Sequence, residues 1–280
     1  MTPSGTPVLT GTTALVTGAS SGIGEATAVS LAASGASVAL VARRRDRLQD
    51  LAARIEGAGG TALVLEADVT DQAQAQDAVA QTVERLGRLD VLVNNAGVML
   101  LGPAEHAPVE EWQRMVELNV LGLMQCAHAA IPHLLAAAQD GPRQVADMVD
   151  TSSVAGRVAR SGSGVYNATK FGVGAFSESL RQELATRHLR VSLVEPGAVE
   201  TELAGHNRPE VLQGLRERFA GMERLQSQDV ADAVSYVVMR PRHVAVDEAA
   251  RAPHRAGGLT RTPPDATHRA PHDARSDAVP

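Results

Sequence analysis

A tyrosine and a lysine four residues apart carry the clearest chemical signal in this sequence. Tyr166 is one of only 2 tyrosines, and Lys170 is the only lysine in a chain with 26 basic residues. Side chains at positions i and i+4 of a helix lie on one face, so the two groups would meet. A nearby ammonium stabilises a phenolate and lowers the phenol pKa from about 10. The pair therefore predicts general acid–base chemistry near neutral pH.

A glycine loop from Thr17 to Gly24 is arranged to bind a phosphate group. It follows a predicted strand and opens a predicted helix, whose free N–H groups would face an anion. Gly18 permits a tight turn, Gly22 lets the backbone approach a pyrophosphate, and Gly24 lets the helix pack closely on the sheet. The glycines are spaced three-then-one rather than one-then-two, and an ordinary strand-to-helix turn is the alternative. The context favours a dinucleotide cofactor.

The end of the second predicted strand distinguishes the two nicotinamide dinucleotides. An NAD-binding protein has Asp or Glu there to accept hydrogen bonds from the adenine ribose, whereas Ala42 offers no carboxylate. Arg43 and Arg44 follow it, and a guanidinium fork suits a 2′-phosphate. We therefore predict NADP(H) rather than NAD(H), the alternative being a solvated basic patch.

Alternating strands and helices must position these residues. The predicted strands are Thr13–Thr17, Ser37–Val41, Ala62–Leu65, Asp90–Val93, Val145–Asp150 and Arg190–Val194. The predicted helices are Gly22–Ser34, Gln72–Leu86, Val109–Leu135 and Gly164–Arg187. Because no hairpin signals interrupt the alternation, we predict an α/β fold with a single Rossmann-type, doubly wound parallel sheet flanked by helices on both faces. Such a sheet binds ligands at the carboxyl ends of its strands.

Composition and charge limit the class of protein. The formal charge of −6 argues against nucleic-acid binding, which needs a basic surface. The lone cysteine, Cys126, excludes a disulfide framework, and the histidines lack metal-ligand spacing, so we expect no metal. No apolar run reaches the roughly 18 residues of a membrane helix, and no secretory signal is evident. We therefore expect a cytoplasmic protein with no membrane association.

Domain organisation follows from the same patterns. We expect a catalytic domain over residues 1–248, with a flexible flap at about 198–224 and a disordered polar tail over 249–280. Asp147 and Asp150 fall in a strand predicted to be buried, where an unpaired carboxylate is costly. At least one of them should therefore have a partner or lie at a strand end.

Further motifs occur in the order known from one enzyme family. Asn94-Asn95-Ala96-Gly97 follows the fourth predicted strand, and Ser153 precedes Tyr166 by thirteen residues. Asn119 lies within the long predicted helix. From about Thr10 to Glu248, the chain resembles the short-chain dehydrogenase/reductase family. The resemblance implies that His243–Glu248 begins the last strand, which would be short here.

The resemblance implies a role for each motif. Ser153 and Tyr166 would hydrogen bond to a substrate carbonyl, with Tyr166 as the proton donor. Lys170 would lower the phenol pKa and bind the nicotinamide ribose, while Asn119 would hold a relay water. Ser152 competes for the serine role, although the thirteen-residue spacing favours Ser153. The cofactor-binding residues implied are Gly18, Ser20, Ser21, Gly22, Ile23, Gly24, Arg43, Arg44, Asp68, Val69, Asn95, Ala96, Gly97, Tyr166, Lys170, Pro196, Gly197, Val199 and Thr201.

The resemblance also implies a reaction: NADPH reduces an aldehyde or ketone to an alcohol, or the reverse. The stretches Asn94–Pro103 and Tyr166–Glu183 resemble actinobacterial NADPH-dependent reductases close to clavulanic acid dehydrogenase, which implies a substrate of secondary metabolism. Aliphatic residues at Val98–Leu100 favour a small or medium aliphatic or polar carbonyl compound. A homodimer or homotetramer is implied through the helices that carry Asn119 and Tyr166. The alternative function is a non-catalytic NADP(H)-binding sensor.

Overall fold

Seven parallel strands form one sheet in residues 8–253, the part of the chain that the computed structural model describes. The strands are β1 (Thr13–Thr17), β2 (Ser37–Ala42), β3 (Thr61–Glu66), β4 (Val91–Asn94), β5 (Ala146–Thr151), β6 (Leu189–Pro196) and β7 (Glu248–Arg251). Their order is β3-β2-β1-β4-β5-β6-β7, with every neighbouring pair parallel. The predicted doubly wound α/β fold is confirmed.

Helices cover both faces of this sheet. They are α1 (Gly22–Ala33), α2 (Arg45–Gly57), α3 (Gln72–Leu86), α4 (Val109–Val116), α5 (Leu123–Asp140), α6 (Gly164–Leu184), α7 (Pro209–Arg218) and α8 (Ser227–Val238). The long predicted helix is α4 and α5 joined by a π-helical segment, Glu117–Gly122. The sequence interpretation missed α2, α7 and α8. In α2, an apolar stripe with Leu48, Leu51 and Ile55 is hidden among charged residues.

The core has two layers because successive strand residues point to opposite faces of the sheet. Leu15 and Met148 face one layer, which packs against α3, α5 and α6. Their neighbours Val16 and Val149 face the other layer, which packs against α1, α2 and α8. Burial on both faces explains why these strands read as continuous apolar runs.

One helical stretch, Val109–Asp140, is long and apolar enough by length and composition to cross a membrane, within the part of the chain described. The sequence analysis did not identify this stretch, because it looked for an uninterrupted run of apolar residues. Its Cys126, Ala130 and Leu134 are buried in the core layer against the sheet. Its apolar character is therefore that of a core helix.

Buried carboxylates fasten the amino ends of the strands. Asp90 accepts a hydrogen bond from the backbone N of Thr13 at 2.9 Å and pairs with Arg88, whose Nε lies 2.7 Å away. Asp147, also fully buried, accepts from Arg190 Nε at 2.7 Å and from Arg143 Nη1 at 2.9 Å. These contacts tie neighbouring strands together at the edge opposite the predicted site.

Asp150 lies at the other end of β5 and has neutral partners. Its Oδ1 accepts from Asn94 Nδ2 at 2.9 Å, and its Oδ2 accepts from Ser177 Oγ at 2.7 Å. Burial raises the pKa of Asp150, and these two hydrogen bonds oppose that shift. The prediction that at least one of the two strand acids has a partner is confirmed, since Asp147 and Asp150 both have partners.

Strand β7 extends past residue 248, the predicted end of the catalytic domain. Strand β7 starts at Glu248, later than the predicted start at His243, and runs to Arg251 beside β6. Backbone pairing sustains it: Leu193 N donates to Asp247 O, and Gly197 N donates to Arg251 O. An edge strand needs few apolar side chains, so a polar stretch can form one. The rest of the predicted tail, residues 254–280, lies outside the described residues.

Candidate active site

The loops after β1 and β4 meet because β1 lies beside both β2 and β4, where the strand order reverses. Thr17 Oγ1 accepts hydrogen bonds from the backbone N of Asn95 at 3.0 Å and of Ala96 at 3.1 Å. Asn95 Nδ2 donates to the carbonyl O of Thr17 at 3.1 Å. The glycine loop and the Asn-Asn-Ala-Gly segment are thus joined at the carboxyl edge of the sheet.

Two glycines of this loop lie where no side chain fits. Gly18 has a φ of 65°, and a Cβ on it would lie 2.9 Å from the Cα of Ala96. A Cβ on Gly24 would lie 2.3 Å from the carbonyl O of Gly18. Helix α1 begins beside them, with Ser21 as an N-cap that makes no side-chain capping bond. The side chain of Ile23, the next residue but one, packs against the core.

The two predicted phosphate-binding arginines point to different partners. Arg44 lies against the glycine loop: its Nη2 donates to Ser20 Oγ at 3.0 Å and to Ser21 Oγ at 2.7 Å. Arg43 is directed at Asp68, with Nη1 3.6 Å from Oδ2, and 61% of its side chain is exposed. Arg44 is therefore the arginine fixed beside the loop. Val69, next to Asp68, is buried.

Asn119 is buried, and its side chain holds the loop after β4 in place. It is 1% exposed in the π-helical segment. Its Oδ1 accepts from Val98 N at 2.8 Å, and its Nδ2 donates to Val98 O at 2.9 Å and to Thr169 Oγ1 at 3.2 Å. A Cβ on Gly97 would lie 3.2 Å from Asn119 Oδ1 and 3.9 Å from Lys170 Nζ. Gly97 thus lies between two of the predicted catalytic residues.

Tyr166 and Lys170 are both buried on one face of α6, as their spacing predicts. Lys170 Nζ lies 6.0 Å from the centre of the Tyr166 ring and donates to the carbonyl O of Thr151 at 2.8 Å. Burial lowers the pKa of Lys170 to about 8, and the Asp150 charge opposes that shift. The ammonium is therefore close to titrating at mildly alkaline pH.

The pKa of Tyr166 moves in the direction opposite to the one predicted. Burial raises it, and a hydrogen bond with Ser153 opposes the rise. The prediction that Lys170 lowers this pKa is not met here, because desolvation outweighs the stabilisation of the phenolate. The phenol is accordingly protonated at neutral pH, which suits a proton donor.

The two adjacent serines have different partners. Ser153 hydrogen bonds with Tyr166, and its Oγ also donates to the carbonyl O of Pro196 at 3.3 Å. Ser152 Oγ donates to the carbonyl O of Lys170 at 3.1 Å, which ties α6 to the end of β5. The geometry favours Ser153 as the serine that shares a substrate with Tyr166.

The predicted flap, residues 198–224, spans the cleft from one loop to the other. Near one end, a Cβ on Gly22 would lie 3.2 Å from Thr201 Cγ2. Asn207 binds the loop after β4, where its Oδ1 accepts from Leu101 N at 2.7 Å and its Nδ2 donates to Met99 O at 2.8 Å. Asn207 lies within the predicted flap, although sequence reasoning did not single it out. The flap's flexibility remains a prediction.

The remaining predicted cofactor contacts follow β6. Pro196 ends that strand, and Gly197 lies close to Ala252 and Pro253. Val199 forms an isolated bridge with Leu225, which joins the start of the flap to its far end. These contacts bring the end of β6 to the same edge as the glycine loop.

An apolar wall surrounds Tyr166. Val98, Leu100 and Met115 are buried with it, and the only tryptophan, Trp112, packs against this cluster. Sequence reasoning anticipated the first two residues and missed Met115 and Trp112. They lie on α4, whose buried face was not distinguished within the long predicted helix.

Comparison with known proteins identifies the family. The family model described as short chain dehydrogenase matches residues 12–211. The chain belongs to this family. It is therefore an oxidoreductase with the short-chain dehydrogenase fold.

Sequence relatives agree with this assignment. The chain is 34% identical over 235 residues to an uncharacterized oxidoreductase of Staphylococcus epidermidis, covering 84% of this chain and 94% of the relative. It is 39% identical over 241 residues to the glycine betaine reductase of Emericella nidulans, covering 86% of this chain but only 18% of that much longer protein.

Solved structures of the family are also similar. The closed form of a serine dehydrogenase complexed with NADP+ has a TM-score of 0.78 and 30% identity, covering 85% of this chain and 94% of that one. A 3-ketoacyl-(acyl-carrier-protein) reductase from Brucella melitensis complexed with NADH has a TM-score of 0.77 and 30% identity, covering 88% and 99%. These matches identify the family without singling out the clavulanic acid dehydrogenase-like subgroup.

Proposed function

We propose that this chain reduces an aldehyde or ketone to an alcohol with NADPH, or runs the reverse oxidation with NADP+. One arrangement carries the proposal. The buried Tyr166 lies on α6, the helix that also carries Lys170, and it hydrogen bonds with Ser153 at the carboxyl end of β5. A protonated phenol and a serine hydroxyl can both donate to one carbonyl oxygen. They would stabilise the negative charge that develops on it.

Two features of the glycine loop fit NADP(H). The N-terminus of α1 makes no side-chain capping bond, so its N–H groups are free to bind a pyrophosphate. Arg44 lies against Ser20 and Ser21, next to Ala42, which offers no carboxylate to a ribose. The serine dehydrogenase complexed with NADP+, at 30% identity, supports the same cofactor. When bound, the cofactor supplies or accepts the hydride.

The protein's own groups would handle the proton and the charge. In the reductive direction, the Tyr166 hydroxyl transfers its proton to the carbonyl oxygen, while Ser153 keeps its proton and holds that oxygen by a hydrogen bond. Lys170, anchored on the Thr151 carbonyl, stabilises the tyrosinate that remains. Asn119 clamps Val98 in the loop beside Gly97 and so fixes the substrate side of the cleft.

The substrate we propose is a small or medium aliphatic or polar carbonyl compound. The wall near Tyr166 contains Val98 and Leu100, and the neighbouring Met99 and Ala155 are also aliphatic. A role in secondary metabolism, as in the clavulanic acid dehydrogenase-like reductases, is part of this proposal. The proposed catalytic set of Asn119, Ser153, Tyr166 and Lys170 is complete in the sequence, which supports an enzyme rather than a non-catalytic sensor.

A homodimer or homotetramer in the cytoplasm completes the proposal. Val116 and Leu121, in the helical stretch that carries Asn119, are 41% and 46% exposed. Phe171, next to Lys170 on α6, is 46% exposed. Apolar side chains on these two helices would be covered if they formed a subunit interface. Size-exclusion chromatography with light scattering measures the oligomeric state directly.

The test is oxidation of NADPH by the purified chain with a panel of aliphatic and polar aldehydes and ketones. Consumption of NADPH that depends on the carbonyl compound supports the proposal. Tight NADPH binding without turnover of any compound would instead indicate a sensor. Failure to bind NADPH would refute the proposed cofactor.

A further inference from the structure

Glu202 occupies the side of the candidate phosphate site that faces the flap. It begins the 3-10 helix Glu202–His206, directly after Thr201. Its Oε2 accepts a hydrogen bond from Arg44 Nη1 at 2.9 Å, and its Oε1 lies 3.5 Å from Arg47 Nη1. The hydrogen bond from Arg44, with a smaller one from Ser21, lowers the pKa of Glu202, so the group is a carboxylate at neutral pH.

Arg44 is the group for which this carboxylate and a 2′-phosphate would compete. Its Nε and Nη2 are held by Ser20, and Nη2 also by Ser21, which leaves Nη1 directed at Glu202. Arg43 is directed at Asp68 instead, with its Nη1 3.6 Å from Oδ2. A phosphate beside Ser20 and Arg44 would need the same guanidinium edge. It would also place negative charge next to Glu202.

We infer that Glu202 is a specificity-determining residue that pairs with Arg44 until a 2′-phosphate displaces it. This rests on the proposed function, since it takes NADP(H) as the cofactor. A dinucleotide without the 2′-phosphate cannot displace Glu202 from Arg44, so its binding affinity does not benefit from that arginine. The discrimination between the two dinucleotides thus depends on a flap residue as well as on the loop after β2.

Displacement would also affect the flap. Thr201, the preceding residue, packs close to Gly22, where the backbone would approach a pyrophosphate. The Arg44–Glu202 pair therefore holds this end of the flap over the glycine loop. A phosphate that breaks the pair releases the segment at the place where the dinucleotide must enter.

The experiment measures binding of two probes that differ only in the 2′-phosphate, 2′,5′-ADP and 5′-AMP, by calorimetry on the whole chain. Glu202→Gln removes the competing charge and keeps the size of the side chain. We expect about threefold to fivefold tighter binding of 2′,5′-ADP and unchanged binding of 5′-AMP. The effect is small because the ion pair that is lost is partly exposed.

Glu200→Gln is the matched control. Glu200 lies in the same segment and carries the same charge, but it faces Arg224 at 3.7 Å and Gln226 at 3.1 Å. We expect no change in the affinity of either probe. Arg44→Ala should weaken 2′,5′-ADP binding, and Glu202→Gln should have a smaller effect in that background than in the unmodified chain, because the competition acts through Arg44.

The outcomes separate the inference from the proposed function. Equal effects of Glu202→Gln and Glu200→Gln, or equal tightening of both probes, would overturn the inference and leave NADP(H) as the cofactor. An unmodified protein that neither binds NADPH nor prefers 2′,5′-ADP to 5′-AMP would overturn the proposed function, and the inference with it.

Discussion

Lys170 donates to the backbone carbonyl O of Thr151 across 2.8 Å, while its Nζ lies 6.0 Å from the centre of the Tyr166 ring. The lysine is thus fixed by the end of β5 rather than by the tyrosine itself. Since Thr151 immediately precedes Ser152 and Ser153, one strand end orients both the ammonium and the serine that contacts Tyr166. The relative positions of the three proposed catalytic side chains therefore depend on how α6 packs on β5.

Replacement of Tyr166 by Phe should lower turnover by at least about 100-fold, because it removes the proton donor and leaves the ring in its apolar wall. NADPH binding should be largely retained. Initial rates of NADPH oxidation with a reactive aldehyde measure the effect. Tyr236→Phe is the control, since that tyrosine is 50% exposed on α8 and should be dispensable. Similar rates for the two variants would refute the role of Tyr166.

The two serines should respond differently to replacement by Ala. Ser153→Ala removes a donor to the substrate oxygen and should lower turnover by about 100-fold. Ser152→Ala loses one buried hydrogen bond, to the Lys170 carbonyl, and should cost about 1 kcal/mol of stability with a much smaller loss of turnover. Steady-state kinetics and urea unfolding on both variants distinguish the assignments. The reverse pattern would make Ser152 the catalytic residue.

Activity should depend on pH through Lys170, whose pKa burial lowers to about 8. Below that pH the ammonium is present, and above it the charge that stabilises the tyrosinate is lost. We therefore expect kcat/KM for reduction to fall as pH rises through about 8. Asp150→Asn removes the charge that opposes the shift, so the pKa of Lys170 and the decline should move to lower pH.

The pH profiles of the unmodified chain and of Asp150→Asn check this prediction. Asp50→Asn, at an exposed position on α2, is the control for a general change of net charge. A profile that is identical in all three proteins would show that Asp150 does not act on Lys170.

Stability should depend strongly on the buried Asp147–Arg190 pair. Arg190→Ala leaves the carboxylate of Asp147 in the core with Arg143 as its remaining partner, and we expect a loss of about 3–5 kcal/mol. Arg45→Ala breaks an exposed pair with Glu66 and should cost less than about 1 kcal/mol. Urea unfolding of both variants measures the free energies. Equal losses would mean that the buried pair contributes no more than the exposed one.

The sequence predicted the parts of the fold that rest on local patterns. Strands β1, β2 and β4 are runs of mostly apolar residues, and such runs identify buried parallel strands. The spacing of Tyr166 and Lys170 likewise predicted a shared helix face. Helix α2 escaped notice because its stripe, including Leu48 and Leu51, is diluted by arginines and aspartates.

What the sequence could not predict depends on side chains that meet from distant segments. Glu202 and Arg44 are 158 residues apart, so no local sequence pattern relates them. The direction of the Tyr166 pKa shift depends on burial by Val98, Leu100 and Met115, and burial is a property of the packed cluster. Strand β7 exists because β6 presents an unpaired edge, although Ala249 and Ala250 give little strand signal.

The carboxylates of Asp90 and Asp147 fasten the strands at one rim of the sheet, whereas every proposed reacting group lies at the opposite rim. The two rims are separated by the length of a strand, roughly 15–20 Å. The contacts that hold the strands together and the groups that are proposed to react therefore lie at different ends of the same strands. Attaching this protein to a solid support or a fluorophore through the rim of Asp90 and Asp147 should leave its turnover intact.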